Sequence, residues 1–329
     1  MKLQIIQEDP LHILTTTKPI VENLQHITIN EAKLTEVAKH VNQQMQQGLD
    51  SLETGYGSTG NYIDDVQLIF LEDVVNFCFW AEKDKPRWQV TWPKGEVPTG
   101  GWYSLIKCFQ RALAEKIPIL DAKYLSSITL EQTRNIFRGS NDVNIPLLQK
   151  RMENLQEAGK VLKEKFAGKF LNALTHIEYD AINIVQLVYD NFPSFRDTAV
   201  IEGKEIFFLK RAQIVSQDLS YLTKKYENIK ISNLNLLTAF ADYKLPQMLR
   251  KYGAVVYNKE LGEKVDKYVL IPAGSREEIE IRAVTIWCIE LLRQQLQKYT
   301  AGEIDNVLWL ISQNQSNIQP YHRTYTVFY

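Results

Sequence analysis

The sequence predicts a mainly α protein with a small β element, an α+β fold. Much of the 329-residue chain falls in segments where apolar side chains recur every three or four positions, as in helices with one buried face. Strand patterns are short: an alternation over 87–92 and a hairpin pattern over 197–208 with a central Glu-Gly-Lys turn. Hydrophobic residues at 45% and charged residues at 23% are typical of a globular protein with a sizeable core.

The first predicted helix covers residues 31–50, where the apolar spacing ends near Gly48. A turn-rich segment, 55–61, follows it. Residues 66–80 form a long apolar run whose bulk fits a helix and whose β-branched content fits a strand, so periodicity leaves both open. Residues 84–101 alternate prolines and glycines with tryptophans, and they contain the short strand pattern noted above.

Helices dominate the rest of the chain, and the pattern places the hairpin directly before one of them. The further helical segments are Trp102–Glu115, a helix beginning within Ser127–Phe137, 147–164, 176–190, Lys210–Leu222 and Arg276–Lys298. We expect one domain over residues 1–329. A division into two lobes, a mixed α/β lobe over about 1–125 and a mainly helical lobe over about 126–329, stays open.

Composition excludes several classes of function. The net charge is −1, from 38 basic and 39 acidic residues, which argues against nucleic-acid or membrane-surface binding driven by bulk charge. The three cysteines are far apart, and neither a CxxC pair nor a signal-peptide pattern is present, so we expect a cytoplasmic protein. The five histidines show no ligand spacing, and we expect no metal and no cofactor. No apolar run approaches the roughly 18 residues of a membrane helix.

Asp242 stands out because it follows the apolar run Ala-Phe-Ala and precedes Pro246 by four residues. A proline has no N–H, so the pattern predicts that one helix ends near Asp242 and the next begins with Pro246 in its first turn. That second helix should cover Gln247–Tyr252 and stop at Gly253. Nearby unpaired N–H groups would hold the carboxylate ionised, with a low pKa. On pattern alone, a structural cap is favoured over a reactive group.

Several short motifs together resemble one family, the queuosine salvage proteins, or queuosine 5′-phosphate N-glycosylase/hydrolases. The likeness runs from about residue 30 to the C-terminus. The motifs, in order, are Asn76-Phe-Cys-Phe-Trp80, Phe192-Pro-Ser-Phe-Arg-Asp197, Leu209-Lys-Arg-Ala-Gln-Ile214, Phe240-Ala-Asp-Tyr-Lys-Leu-Pro246, Glu280-Ile-Arg282 with Trp287-Cys-Ile-Glu290, and Pro320-Tyr-His-Arg323.

The resemblance implies an enzyme that releases the base queuine from queuosine 5′-monophosphate for reuse in tRNA modification. It also implies a fold related to the helical DNA glycosylases, which use a lysine and an aspartate. The positions that match these two residues are Lys210 and Asp242. A carboxylate would stabilise the oxocarbenium-like transition state and orient a water, or attack directly. Lys210 would assist the leaving base or bind the 5′-phosphate, and the sequence does not decide between these roles.

Further candidates follow from the motifs and from helical spacing. Aromatic rings are natural platforms for a flat base, and positions 280, 287 and 290 share one helix face. Core packing remains the alternative for each aromatic, and pairing with basic residues remains one for the carboxylates. The substrate-binding candidates are Phe79, Trp80, Trp102, Tyr243, Glu280, Trp287, Glu290, His322 and Arg323.

Two other functions stay open beside the hydrolase. One is a nucleoside- or nucleotide-binding protein that uses the same pocket without turnover; under the hydrolase hypothesis, in contrast, Asp242→Asn should lose base release and keep ligand binding. The other is a DNA-repair glycosylase, which requires a basic DNA-facing surface that the near-zero net charge does not favour. The expected partner is therefore a small-molecule substrate, queuosine 5′-monophosphate or queuosine, with no membrane and no stable nucleic-acid complex.

Overall fold

Helices form most of the regular structure in this computed structural model, which describes residues 3–49, 58–222, 225–226, 230–313, 315 and 318–329. The helices are α1 (Ile13–Glu22), α2 (Glu31–Gln46), α3 (Tyr62–Val74), α4 (Gly101–Ala114), α5 (Ala122–Leu125), α6 (Leu130–Ile136), α7 (Leu148–Lys165), α8 (Phe170–Leu174), α9 (Ala181–Asn191), α10 (Lys210–Tyr221), α11 (Lys244–Lys251), α12 (Lys259–Asp266), α13 (Arg276–Leu296) and α14 (Ala301–Gln313). The predicted mainly α class with a small β element is confirmed.

The strands form small antiparallel pairs. They are β1 (Ile27–Ile29), β2 (Gln89–Val90), β3 (Thr99–Gly100), β4 (Thr198–Ile201), β5 (Lys204–Phe207) and β6 (Val255–Tyr257). β4 and β5 form the predicted hairpin, in which Ile201 pairs with Lys204 around Glu202-Gly203. β2 pairs with β3, so the predicted strand at 87–92 is confirmed as a shorter one. β1 pairs with the distant β6.

Local capping explains where several helices begin. Residues 66–80 contain most of a helix, α3, and the helical alternative is confirmed as far as Val74. α9 begins at Ala181 because the Asp180 carboxylate accepts the N–H groups of Ile182 and Asn183. The prediction of a helix from residue 176 is therefore wrong for its first turn. Residues 55–57 of the predicted turn-rich segment lie outside the described residues.

The chain around Asp242 differs from the prediction on one side only. No helix ends at Asp242: after a 3₁₀ turn at Leu234–Leu236 the chain runs without helical structure to Asp242. On the other side α11 begins at Lys244, with Pro246 in its first turn as predicted. Gly253, with φ of +72°, follows the helix and supplies the left-handed conformation that glycine adopts readily.

α13 lies at the centre of the packing. Every residue from Glu278 to Glu290 is buried, because α1, α2, α11 and α14 all pack against this helix. α10 packs against α9 and α3, and α11 also contacts α14. These contacts bring the start of α10, the segment before α11 and one face of α14 together. Among the described residues, no helix has the length and apolar character needed to cross a bilayer.

Candidate functional site

One pocket collects chemically active side chains from distant parts of the sequence. Its walls come from α10, α14, the segment that enters α11, the loop after α3 and the start of α4. Its lining residues include Asn76, Phe77, Phe79, Gly101, Trp102, Lys210, Ile214, Gln217, Asp218, Tyr221, Phe240, Asp242, Tyr243, Lys244, Leu245, Gly302, Asp305, Asn306, Trp309 and Tyr329.

Asp242 both caps a helix and lines this pocket. Its Oδ1 accepts the backbone N–H groups of Lys244 (2.7 Å) and Leu245 (3.1 Å), which are among the otherwise unpaired donors at the start of α11. These two bonds fix the direction of a carboxylate that is only 8% exposed. The cap and the reactive carboxylate, which the sequence presented as alternatives, are therefore compatible at this one residue.

Lys210 is held by the beginning of its helix. Leu209, with φ of +53°, turns the chain into α10, and the Lys210 N–H donates to Oδ2 of Asp197 at 3.0 Å. Arg282 pairs with both oxygens of Asp197, and its Nε also donates to the carbonyl oxygen of Ala241 at 3.2 Å. A single guanidinium thus connects the start of α10 with the residue before Asp242.

The electrostatics of Asp242 and Lys210 correct one prediction, the expected low pKa of Asp242. Burial raises the pKa of Asp242, while the charge of Lys210 and the two backbone N–H groups act in the opposite direction. The expected low pKa of Asp242 is therefore wrong, because loss of hydration outweighs these favourable contacts. Burial lowers the pKa of Lys210, and the nearby carboxylates of Asp242 and Asp73 oppose that change. Each group is thus the other's principal charge partner in the pocket.

Three predicted aromatic residues line the same pocket. Phe79 stacks on Trp88, with ring centres 6.4 Å apart, and lines the pocket together with Trp102. Tyr243 packs against Tyr321 at 4.8 Å between ring centres. Flat apolar faces around a carboxylate and a lysine suit a planar base attached to a polar sugar. The structure thus brings Phe79, Trp102 and Tyr243 together with Asp242 and Lys210.

The predicted candidates on α13 lie elsewhere. Glu280 accepts the N–H groups of Gln25 and His26, both at 2.9 Å, and pairs with Arg276. The fully buried Trp287 donates its indole N–H to Thr17 at 3.0 Å. The carboxylate of Glu290 pairs with Arg293. These contacts explain why polar side chains share one buried face of α13. Glu280, Trp287 and Glu290 do not line the pocket.

The other three candidates lie behind the pocket wall or beyond it. Trp80 packs against Tyr325, with 4.6 Å between ring centres. His322 is buried and its Nε2 lies 3.3 Å from the Tyr329 hydroxyl. The guanidinium of Arg323 stacks over Tyr268 at 4.1 Å. Substrate binding by Trp80, His322 and Arg323 stays a prediction that the pocket lining does not support.

Several lining residues were not predicted. On α14, Asp305 and Trp309 face the pocket, and Gln217 and Lys244 do so from α10 and α11. Asp305 carried a weaker signal than Asp242: Ile304 precedes it and Val-Leu-Trp-Leu follows Asn306, but no apolar run precedes it and no proline is nearby. Gln217 and Lys244 sit in ordinary helical sequence, and only the fold reveals their position.

A mainly helical fold that buries a carboxylate and a lysine in one aromatic-lined pocket defines a small-molecule-binding protein with acid–base groups in its pocket. The family model described as "Queuosine salvage protein" matches residues 59–329. The chain therefore belongs to the queuosine salvage protein family, and the predicted family is confirmed.

Similar proteins agree with this assignment. The chain is 38% identical over 327 residues to a Sphaerobacter thermophilus protein named queuosine 5′-phosphate N-glycosylase/hydrolase, covering 98% of each chain. It is also 38% identical to a protein of the same name from Bos taurus, covering 80% of this chain and 81% of the relative. A third, from Schizosaccharomyces pombe, is 28% identical over 90% of each chain. The names of these relatives match the enzyme class that the sequence predicts.

Proposed function

We propose that this protein hydrolyses the N-glycosidic bond of queuosine 5′-monophosphate and releases queuine. The observation that carries the proposal is the presence of Asp242 and Lys210 in one buried, aromatic-lined pocket. The names of the relatives supply the substrate and the reaction. Lys210 and the half-buried Lys244 also bring two positive charges to the pocket, which suits a 5′-phosphate.

Asp242 is the group that we assign to the sugar. Cleavage of the bond builds positive charge on C1′ and the ring oxygen, and a fixed carboxylate in a dry pocket stabilises that charge as it forms. Both backbone bonds to Asp242 go to Oδ1, so we assign to Oδ2 the contact with the sugar or with the attacking water. The positive charge of Lys210 favours the ionised form of this carboxylate, because it lowers the pKa against the larger effect of burial.

We place the protein in the cytoplasm and expect no stable complex with nucleic acid. Three buried, unpaired cysteines suit a reducing compartment, and a net charge of −1 supplies no general attraction to phosphate backbones. The cleavage proposal is tested by incubating purified protein with queuosine 5′-monophosphate and measuring free queuine by chromatography and mass spectrometry. Binding without release would favour the non-catalytic alternative, and salt-sensitive binding to duplex DNA would favour the repair alternative.

A further inference from the structure

Asp305 is a second buried carboxyl group in the same pocket. It lies on α14, far in sequence from both Asp242 and Lys210, and its side chain is 5% exposed. Its Oδ2 accepts the N–H of Phe240 at 2.7 Å, two residues before Asp242. This bond fastens α14 to the segment that carries Asp242, so the two carboxyl groups keep a fixed relation.

The surroundings of the two acids affect their protonation to different degrees. Burial raises the pKa of Asp305 well above its ordinary value, and the negative charge of Asp242 raises it further. The Phe240 N–H and the charge of Lys210 act in the opposite direction. At Asp242, the charge of Lys210 and two backbone N–H groups lower the pKa and oppose the effect of burial. Of the two carboxyls in this pocket, Asp305 is thus the one whose protonated form its surroundings favour more strongly.

The proposed substrate needs such an acid. In a 7-deazapurine, carbon replaces the N7 atom that accepts a proton in ordinary purine cleavage. The departing base must take its proton on one of its remaining nitrogen or oxygen atoms, or leave as an anion. A protonated side chain beside the base removes that difficulty, and general acid catalysis of this kind contributes about 10²- to 10⁴-fold to a rate.

We propose that Asp305 is the proton donor to the departing base. This inference rests on the proposed function. The C1′–N bond breaks and its electron pair goes to the base, while the proton of the Asp305 carboxyl bonds to the base. The oxygen of water bonds to C1′, and its proton passes to Asp242. Transfer of that proton through solvent to Asp305 restores both groups, and the net reaction consumes one water.

Lys210 is less suited to the same task. Asp242 is the carboxylate that interacts most strongly with Lys210. A proton lost from Lys210 would remove the positive neighbour of Asp242 at the moment when Asp242 must carry its negative charge. Donation from Asp305 leaves the positive charge of Lys210 in place near Asp242, and the three groups then have separate roles.

The test is Asp305→Asn, compared with Glu303→Gln on the same helix. The asparagine oxygen still accepts the Phe240 N–H, but the amide supplies no proton. Glu303 caps α14 through Thr300, and glutamine keeps an acceptor oxygen there. On queuosine 5′-monophosphate, we expect Asp305→Asn to lower kcat by about 100- to 1,000-fold with KM within about threefold of the wild-type value. Glu303→Gln should keep the wild-type kcat.

A second substrate separates acid catalysis from damage to the pocket. The leaving group of 4-nitrophenyl ribofuranoside 5-phosphate departs without a proton, so Asp305→Asn should slow its cleavage far less than that of the nucleotide. A kcat on queuosine 5′-monophosphate within threefold of wild type, a main effect on KM, or equal losses on both substrates would overturn the role of Asp305. Failure of the wild-type protein to release queuine would instead overturn the proposed function itself.

Discussion

Arg282 and Asp197 form a buried ion pair with two short contacts, Nη1 to Oδ1 at 2.8 Å and Nη2 to Oδ2 at 2.6 Å. Arg282 extends from the central helix α13, and Asp197 lies at the start of the hairpin that leads into α10. Because Asp197 also accepts the Lys210 N–H and Arg282 donates to Ala241, the pair fixes both chain segments that supply the proposed catalytic residues.

Arg282→Met should therefore destabilise the fold. It leaves the Asp197 carboxylate buried without its partner, and breaking a buried pair in this way costs about 3–5 kcal/mol. Urea unfolding measures the change. The control is Arg250→Met, whose partner Asp266 has a side chain that is 46% exposed, and there we expect a loss of about 0–1 kcal/mol. Similar small losses in both variants would contradict the role given to the Arg282–Asp197 pair.

The pH dependence of queuine release should show the raised pKa of Asp242. The account requires the ionised carboxylate, so kcat/KM should fall as the pH decreases through the pKa of Asp242. Because burial raises that pKa, the midpoint of the acid side should lie above 3.8, the ordinary value for aspartate. The measurement is a pH–rate profile over the range in which circular dichroism shows a folded protein. A midpoint at or below 3.8 contradicts the burial argument.

Lys210→Met removes the positive charge beside Asp242 and keeps a similar apolar stem. We expect kcat/KM to fall by about 10²- to 10³-fold, as for the loss of one preorganised electrostatic contact in an active site. Steady-state kinetics on queuosine 5′-monophosphate measures the loss. Lys160→Met, at an exposed position on α7, is the matched control and should keep wild-type kinetics. Equal kinetics in the two variants would remove Lys210 from the mechanism.

Gly302→Ala should alter the pocket more than the fold. A Cβ at Gly302 would lie 2.6 Å from Oε1 of Gln217, the movable end of a side chain, and 3.3 Å from the Phe240 ring. We expect KM to rise several-fold, because Gln217 shifts within the pocket, and stability to change by less than about 1 kcal/mol.

Gly159→Ala is the contrasting variant. Its Cβ would lie 2.4 Å from the backbone nitrogen of Ser126, which has little freedom to move, so we expect a loss of about 1–3 kcal/mol with unchanged kinetics. Thermal unfolding and steady-state kinetics on both proteins check the pair. A loss of stability in Gly302→Ala as large as in Gly159→Ala, or a wild-type KM in Gly302→Ala, would contradict the claim that this change alters the pocket more than the fold.

Much of the fold could be predicted from the sequence, because most helices and strands have a clear local sequence pattern. The apolar spacing of α7 and α10 predicted both helices to within a residue at each end. Where local signals conflict, tertiary contacts decided the outcome. Residues before Asp242 carry no helix, since Thr238 and Phe240 bond to side chains of α10 and α14 that are distant in sequence.

The candidate site was predicted in part for a similar reason. Helical spacing correctly placed Glu280, Trp287 and Glu290 on one face of α13. Spacing says nothing about what that face contacts when a helix is buried on all sides, and here the face meets α1 and the chain before β1. Asp305 was missed because no family motif drew attention to α14, and because it has neither the preceding apolar run nor the following proline that singled out Asp242.

Asp242 is assigned the cleavage of the glycosidic bond, and a comparison of three proteins decides whether it has that role. Wild-type protein, Asp242→Asn and the exposed control Asp190→Asn are each assayed for queuine release from queuosine 5′-monophosphate and for substrate binding by calorimetry. The account predicts that Asp242→Asn loses release by at least about 10³-fold. It also predicts that this variant still binds the substrate and that Asp190→Asn behaves as wild type. Undiminished queuine release by Asp242→Asn would contradict the account.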